Sequence, residues 1–181
     1  MIPFPWRYVQ SWNCVACGMC CKDYQVVLGF NEWVEIIRKY GIGVTQPSIS
    51  RFYLGKKGDG TCLFLTKLYD TWLCGLQNMK PKACKLWPFK ILSRPKFGRP
   101  IEASYKYKDR KFFVYVDPAC IGIMWGQPNQ GFMYRIVPEL IEIALGLHQK
   151  QYYSTARIPH RPQWIDEREG FLYRRIHSAF E

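Results

Sequence analysis

No window of the 181 residues reaches the roughly 18–20 apolar residues that a bilayer-crossing helix requires. The opening MIPFPWRYVQSW carries two prolines and an arginine but no apolar stretch of signal-peptide length. These absences predict a cytoplasmic chain with no membrane contact. Histidine is scarce. His148, His160 and His177 all lie in the C-terminal part and none is paired at ligand spacing, so each reads as a surface or packing residue. Internal repeats, low-complexity tracts and a glycine-rich GxGxxG turn are missing, so a dinucleotide-binding fold has no signature here. The stretch GKKGDG (55–60) lacks the GK[ST] ending of a phosphate loop and reads as a turn. Cysteines, eight in all, make up about one residue in 23, too thin for a disulfide scaffold.

Apolar residues form 48% of the chain, enough for one core without covalent staples. Acids are outnumbered 14 to 26 by Lys and Arg, giving a net charge of +12. Between Lys80 and Lys111 there are eleven Lys or Arg and two acids, Glu102 and Asp109, a local +9. Such a face can draw an acidic protein, nucleic acid or an anionic cofactor, or serve as solvated surface. An acidic protein or a redox partner suits it better than nucleic acid. Basic neighbours also favour thiolate over thiol at nearby cysteines.

The coarse pattern alternates strands and short helices. VVLGF (26–30) reads as a strand. NEWVEIIRKYG follows, with Asn31 as N-cap, Gly41 as stop, and an apolar stripe of Trp33, Ile36, Ile37 and Tyr40. Cys62–Leu65 and Thr71–Leu76 can pair across a short loop. Ile101–Tyr107 and Lys111–Val116 form a clearer hairpin, with 108–110 at its turn. Pro138 suits the first turn of a helix whose stripe is Leu140, Ile141, Ala144, Leu145 and His148. A second helix starts near Asp166 and carries Phe171, Leu172, Ile176 and Phe180. The predicted fold is α+β: a small metal-organised core of β-hairpins and short helices over 1–125, with a helical C-terminal extension over 126–181 packed on it.

The chemistry concentrates in NCVACGMCC (13–21). Cys14, Cys17 and Cys20 are each separated by two residues, a spacing that turns three sulfurs toward one point. Bacterial ferredoxins use it for three ligands of a [4Fe–4S] cluster, whereas zinc usually draws two ligands from each of two knuckles. Side chains of adjacent residues diverge, so Cys20 and Cys21 are expected to face different sites. One site would take Cys14, Cys17, Cys20 and a distant cysteine; the other would take Cys21 and three of Cys62, Cys74, Cys84 and Cys120. The rival count is one Cys₄ site plus buried thiols that act as small core residues. A thioredoxin-like redox pair at Cys14 and Cys17 lacks the expected strand before it and long helix after it. Trp6, Tyr8 and Trp12 could stack on bases but are better placed to shield a cluster from water.

The sequence resembles the YkgJ family of CxxCxxCC proteins, a domain to which zinc or iron chelation is ascribed. Cys14 to Tyr40 follow the family's CxxCGxCC, strand and short helix. Cys62-Leu63-Phe64-Leu65 and CGLQNMKPKACKLWPF (74–89) continue it, with Lys80 and Lys85 where the family usually has arginine. Cys120 is followed by Ile121-Gly122 where the family typically has Pro-Gly. The resemblance spans about residues 12–125. It implies a thiolate-held metal, and one branch of the family methylates flagellin lysines. Three functions follow as expectations: a [4Fe–4S] protein with two Cys-ligated sites for electron transfer or redox support; a metal-dependent protein lysine methyltransferase-like enzyme; or a structural zinc protein with a basic partner-binding face.

Overall fold

In chain order the elements are β1 (Phe4–Pro5), β2 (Val9–Trp12), α1 (Met19–Lys22), β3 (Val27–Leu28), α2 (Phe30–Tyr40), β4 (Thr45–Pro47) and β5 (Phe52–Leu54). They continue with β6 (Leu65–Leu68), β7 (Thr71–Cys74), α3 (Lys82–Leu86), β8 (Phe89–Leu92) and α4 (Pro100–Ala103). The last are β9 (Ser104–Tyr107), β10 (Arg110–Val116), β11 (Ile123–Trp125) and α5 (Val137–Leu145). This computed structural model describes residues 2–76 and 79–155. Short helices mixed with small antiparallel sheets make the fold α+β, as the sequence predicts. Among the described residues no helix is long and apolar enough to cross a membrane.

The largest sheet is built on β10, which pairs antiparallel with β1, β8 and β9. Its FFVYV run is apolar on both faces, so each face must be covered, and the period of two divides the job. Phe112, Val114 and Val116 point into a core with Trp6, Val9, Trp12, Phe132, Leu140 and Ile141. Phe113 and Tyr115 point the other way, onto Ala103 and Phe97. The predicted hairpin is present, but Ile101–Ala103 form a helical turn instead of strand. Pro100 at the start of that turn fixes the dihedral a helix needs.

A second apolar core lies among the earlier elements. Ile36 of α2, Leu28 of β3, Leu54 of β5 and Leu65 of β6 meet Phe64, Leu76, Cys21 and Cys62 there. The sheet β3-β5-β4 and the hairpin β6–β7 enclose it. The hairpin matches the predicted pairing, with its first arm moved to Leu65–Leu68. Helix α2 buries the predicted face but begins earlier than expected, with Gly29 as N-cap and Asn31 inside. Glu32 decides this. Its carboxylate accepts from the Gly29 N–H at 2.8 Å, and its other oxygen accepts from the Lys82 N–H of α3 at 2.6 Å.

Helix α5 starts with Pro138 in its first turn, as expected, and stops at Gly146 (φ 75). Its buried face is Val137, Leu140, Ile141 and Ile143, while Leu145 is exposed. Glu139 is buried among these apolar residues at 4% exposure. It accepts backbone N–H bonds from Tyr152, from Tyr153 at 3.1 Å and from Ser154 at 2.7 Å. A carboxylate satisfied in this way ties the 152–154 segment to the helix. The helix predicted near Asp166, with Phe171, Leu172, Ile176 and Phe180, lies outside the described residues, as do His160 and His177.

Candidate metal centre

Four chain segments bring the thiols together. The loop after β2 carries Cys14 and Cys17, and α1 carries Cys20 and Cys21. Cys62 precedes β6, and Cys74 ends β7 directly opposite Leu65. Cys84 lies on α3, and Cys120 lies between β10 and β11. Backbone bonds lock these segments to one another. The Cys62 N–H donates to Cys21 O at 2.8 Å, the Trp72 N–H to Ala16 O at 2.9 Å, and the Asn13 N–H to Gly122 O at 3.0 Å. At two places only glycine fits. A Cβ on Gly122 would stand 2.1 Å from Asn13 O. Gly18 has φ 73, and a Cβ there would stand 2.8 Å from Trp72 Cγ.

Seven of the eight cysteines, all but Cys62, line one cavity of about 80 Å³. Trp12, Trp72, Trp87 and Lys80 share its wall with Gln151 and Ser154. All eight are free thiols. Among the described residues no three Cys, His, Asp or Glu side chains stand as a ready metal-binding group. The sulfurs are thus gathered around a cavity rather than drawn to bonding distance of one point.

The thiols sort into two groups by the core they pack against, Cys14 and Cys120 on the β10 core and Cys20, Cys21, Cys62, Cys74 and Cys84 on the earlier one. Cys14 and Cys17 act on Cys120. Cys20, Cys21, Cys62, Cys74 and Cys84 act on one another. Cys20 therefore keeps company with Cys21, against the expectation that the neighbours diverge, and their sulfurs are 3.9 Å apart. The reason is local. Both residues are on α1, where successive side chains turn by about 100° and do not alternate as they do in a strand.

Charge differs sharply within the second group. The single S–H proton of Cys21, shared between its two sulfur neighbours, lowers Cys20 and Cys62 to about 7, with Lys80 assisting at Cys20 and Lys57 at Cys62. Cys21 keeps its proton and is raised. Burial raises Cys74 and raises Cys84 well above the usual thiol range. Burial also raises Cys120, partly offset by the Trp12 indole N–H, which donates to its Sγ at 3.4 Å. Dry thiols next to a lysine suit a cation that displaces their protons.

The other candidates fall elsewhere. His148 pairs with Glu142 at 2.9 Å, consistent with a packing role. Of the three N-terminal aromatics, only Trp12 lines the thiol cavity. Trp6 is buried with its N–H on Ser104 O, and Tyr8 faces a separate pocket. Sequence reading missed Trp72, Trp87, Gln151 and Ser154. Only an acid inside an apolar helix, Glu139, hints that a segment is held nearby.

Neither the comparison with curated proteins nor that with solved structures gives a match. A family model, CxxCxxCC, described as "Putative zinc- or iron-chelating domain", matches residues 13–121, which span every one of these cysteines. The stretch from the Cys14 loop to Cys120 that the fold gathers around one cavity is the stretch this model covers, and the chain belongs to the CxxCxxCC family.

Proposed function

We propose that this chain is an iron–sulfur protein with two Cys-ligated sites, [4Fe–4S] in type, serving electron transfer or redox support. Metal binding of the zinc-or-iron kind comes with the family. The observation that carries the finer reading is the donor count. Seven thiols around one cavity exceed the four that a single zinc takes, and His148, the one described histidine, is engaged elsewhere. Cys14, Cys17 and Cys120 would serve one centre, and the Cys20–Cys21 group with Cys62, Cys74 and Cys84 the other. A bound cluster supplies one-electron chemistry.

The chain's own residues set the conditions for that chemistry. Trp12, Trp72 and Trp87 line the cavity beside the sulfurs, most of which are half-buried there, and limit the water that reaches them. The Trp12 N–H steadies negative charge at Cys120, and Lys80 does so across the second group. Such hydrogen bonds and charges are what tune a cluster's potential.

One distance favours a second reading. Thiolates held tetrahedrally at about 2.3 Å from zinc stand about 3.8 Å apart. The 3.9 Å between Cys20 and Cys21 matches two ligands of a single ion. On that reading the second group is a structural zinc site. Among the described residues no feature of the cavity favours methyl transfer to lysine over these two. Elemental analysis of protein purified without air separates them. Iron with matching sulfide and a brown colour that bleaches with dithionite supports the cluster. A colourless protein with stoichiometric zinc overturns it and supports the second reading.

A further inference from the structure

Away from the thiols, a second concavity of about 510 Å³ opens between Phe4, Arg7, Tyr8, Arg99, Trp125 and Gln127. That volume is within the usual range for small-molecule sites. Its lining combines two guanidinium groups with three aromatic rings and contains no acid. Arg99 lies over the Tyr8 ring at 5.3 Å, and Arg7 over the Trp6 ring at 5.6 Å. A guanidinium stacked on an aromatic face keeps its N–H edge for a second, bidentate partner. Among the described residues neither arginine is paired with a carboxylate.

The backbone holds these groups in place against its own preferences. Arg99 adopts φ 47, a left-handed conformation that side chains other than glycine rarely take. It is fixed there by the Tyr115 O–H on Gly98 O at 2.8 Å and by the Ala103 N–H on Arg99 O at 3.0 Å. Gly126, at φ 143, turns the chain immediately after Trp125 and donates its N–H to Tyr8 O at 2.9 Å. Trp125 is 48% exposed and Phe4 42% exposed, their rings edge to face at 5.6 Å. Two half-exposed aromatic rings beside two guanidinium groups with no carboxylate partner among the described residues match a ligand that joins a planar ring to an anion.

We propose that this pocket binds a nucleoside phosphate, with the base against Trp125 and Phe4 and the phosphate on Arg7 and Arg99. The ligand can be a free mononucleotide or one nucleotide of a single strand. The site adjoins the thiol cavity through one ribbon. In the β2–β11 pair Val9 faces Trp125 at this end, and Trp12 faces Ile123 at the thiol end. Three residues of strand separate the two ends by about 10 Å. The proposal goes beyond metal binding and does not depend on which metal the thiols hold.

Isothermal titration of the metal-loaded full chain with AMP, dTMP, a ten-residue oligo(dT) and inorganic phosphate tests it. AMP or dTMP is expected to bind more tightly than inorganic phosphate. Trp125→Ala and Arg99→Gly should each weaken that binding about tenfold or more, the scale of one lost base stack or bidentate contact. Arg99→Gly removes the guanidinium while easing the backbone at φ 47, so its metal content and circular dichroism should match the parent. Oligo(dT) binding at least about tenfold tighter than dTMP, with the same variant dependence, assigns the source to single-stranded nucleic acid; equal binding assigns it to the free nucleotide. No binding, binding undiminished in both variants, or inorganic phosphate binding as tightly as AMP overturns the proposal.

Discussion

The two larger cores among the described residues differ in kind. The buried members of the one on β10 are aliphatic and aromatic, with Val114, Val116, Val137, Leu140 and Ile141 wholly removed from water and Cys14 and Cys120 only at its edge. The earlier one, over residues 20–84, includes Cys21 and Cys62 among its buried members and leans on Cys20, Cys74 and Cys84. Its sheets have two or three strands of two to four residues, too small to stand on their own. The first core is stabilised by apolar area. The second is completed by thiols, and burial pushes Cys74 and Cys84 above the usual range; on the proposed ligation, a metal taking their protons would also finish the packing.

The largest expected effect comes from breaking that dependence. Cys21→Ser should remove the metal at the second group and melt the core of residues 20–84, because ligation energy is folding energy at such a site. Hydrogen exchange should then show lost protection there with β8 and β10 still protected. Equal loss in both regions would mean that the two cores are one cooperative unit. The converse variant is Phe132→Ala, which empties the β10 core and should cost about 3–5 kcal/mol in denaturant unfolding. Metal at the Cys20, Cys21, Cys62, Cys74 and Cys84 group should stay unchanged, and any loss should fall on Cys14 and Cys120, which pack against this core.

Gly122→Ala is aimed at the seam. Its Cβ would strike Asn13 O, so the Cys120 turn must move away from the Cys14 loop. A loss of about 1–3 kcal/mol is expected, together with loss of metal from the Cys14, Cys17 and Cys120 group alone. Full metal occupancy in this variant would dissolve the two-group division. The smallest effect is with pH. Cys20 and Cys62, lowered to about 7, favour the thiolate form above that value. As pH falls through 7 they add their protons to those that Cys21, Cys74 and Cys84 already hold against the metal, so affinity should fall across pH 8 to 6 and more steeply below 7 than above it. Competition with a chromophoric chelator across that window measures it; a flat profile would place the metal on other ligands.

Legibility followed range. The face of α2, the β9–β10 pairing and the start of α5 were readable because periodicity and a proline act over a few residues. The start of α2 was misread at Asn31 because a distant partner, the Lys82 N–H, helps to fix Glu32. Strands β1 and β2 carried no pattern of their own and exist because β10 and β11 accept them as partners. The arginine–aromatic pocket was invisible for the same reason: Arg7 and Arg99 meet only across the fold.

The residues alone determined that Cys14, Cys17, Cys20 and Cys21 would lie together on one short segment, since CxxC spacing acts locally. Which thiols stand together was decided only in three dimensions. A one-turn helix at 19–22 set Cys20 beside Cys21, and the contact of Asn13 with Gly122 set Cys120 against the Cys14 loop. Spacing fixes how far apart two sulfurs can be. The path of the backbone between them fixes how close they come.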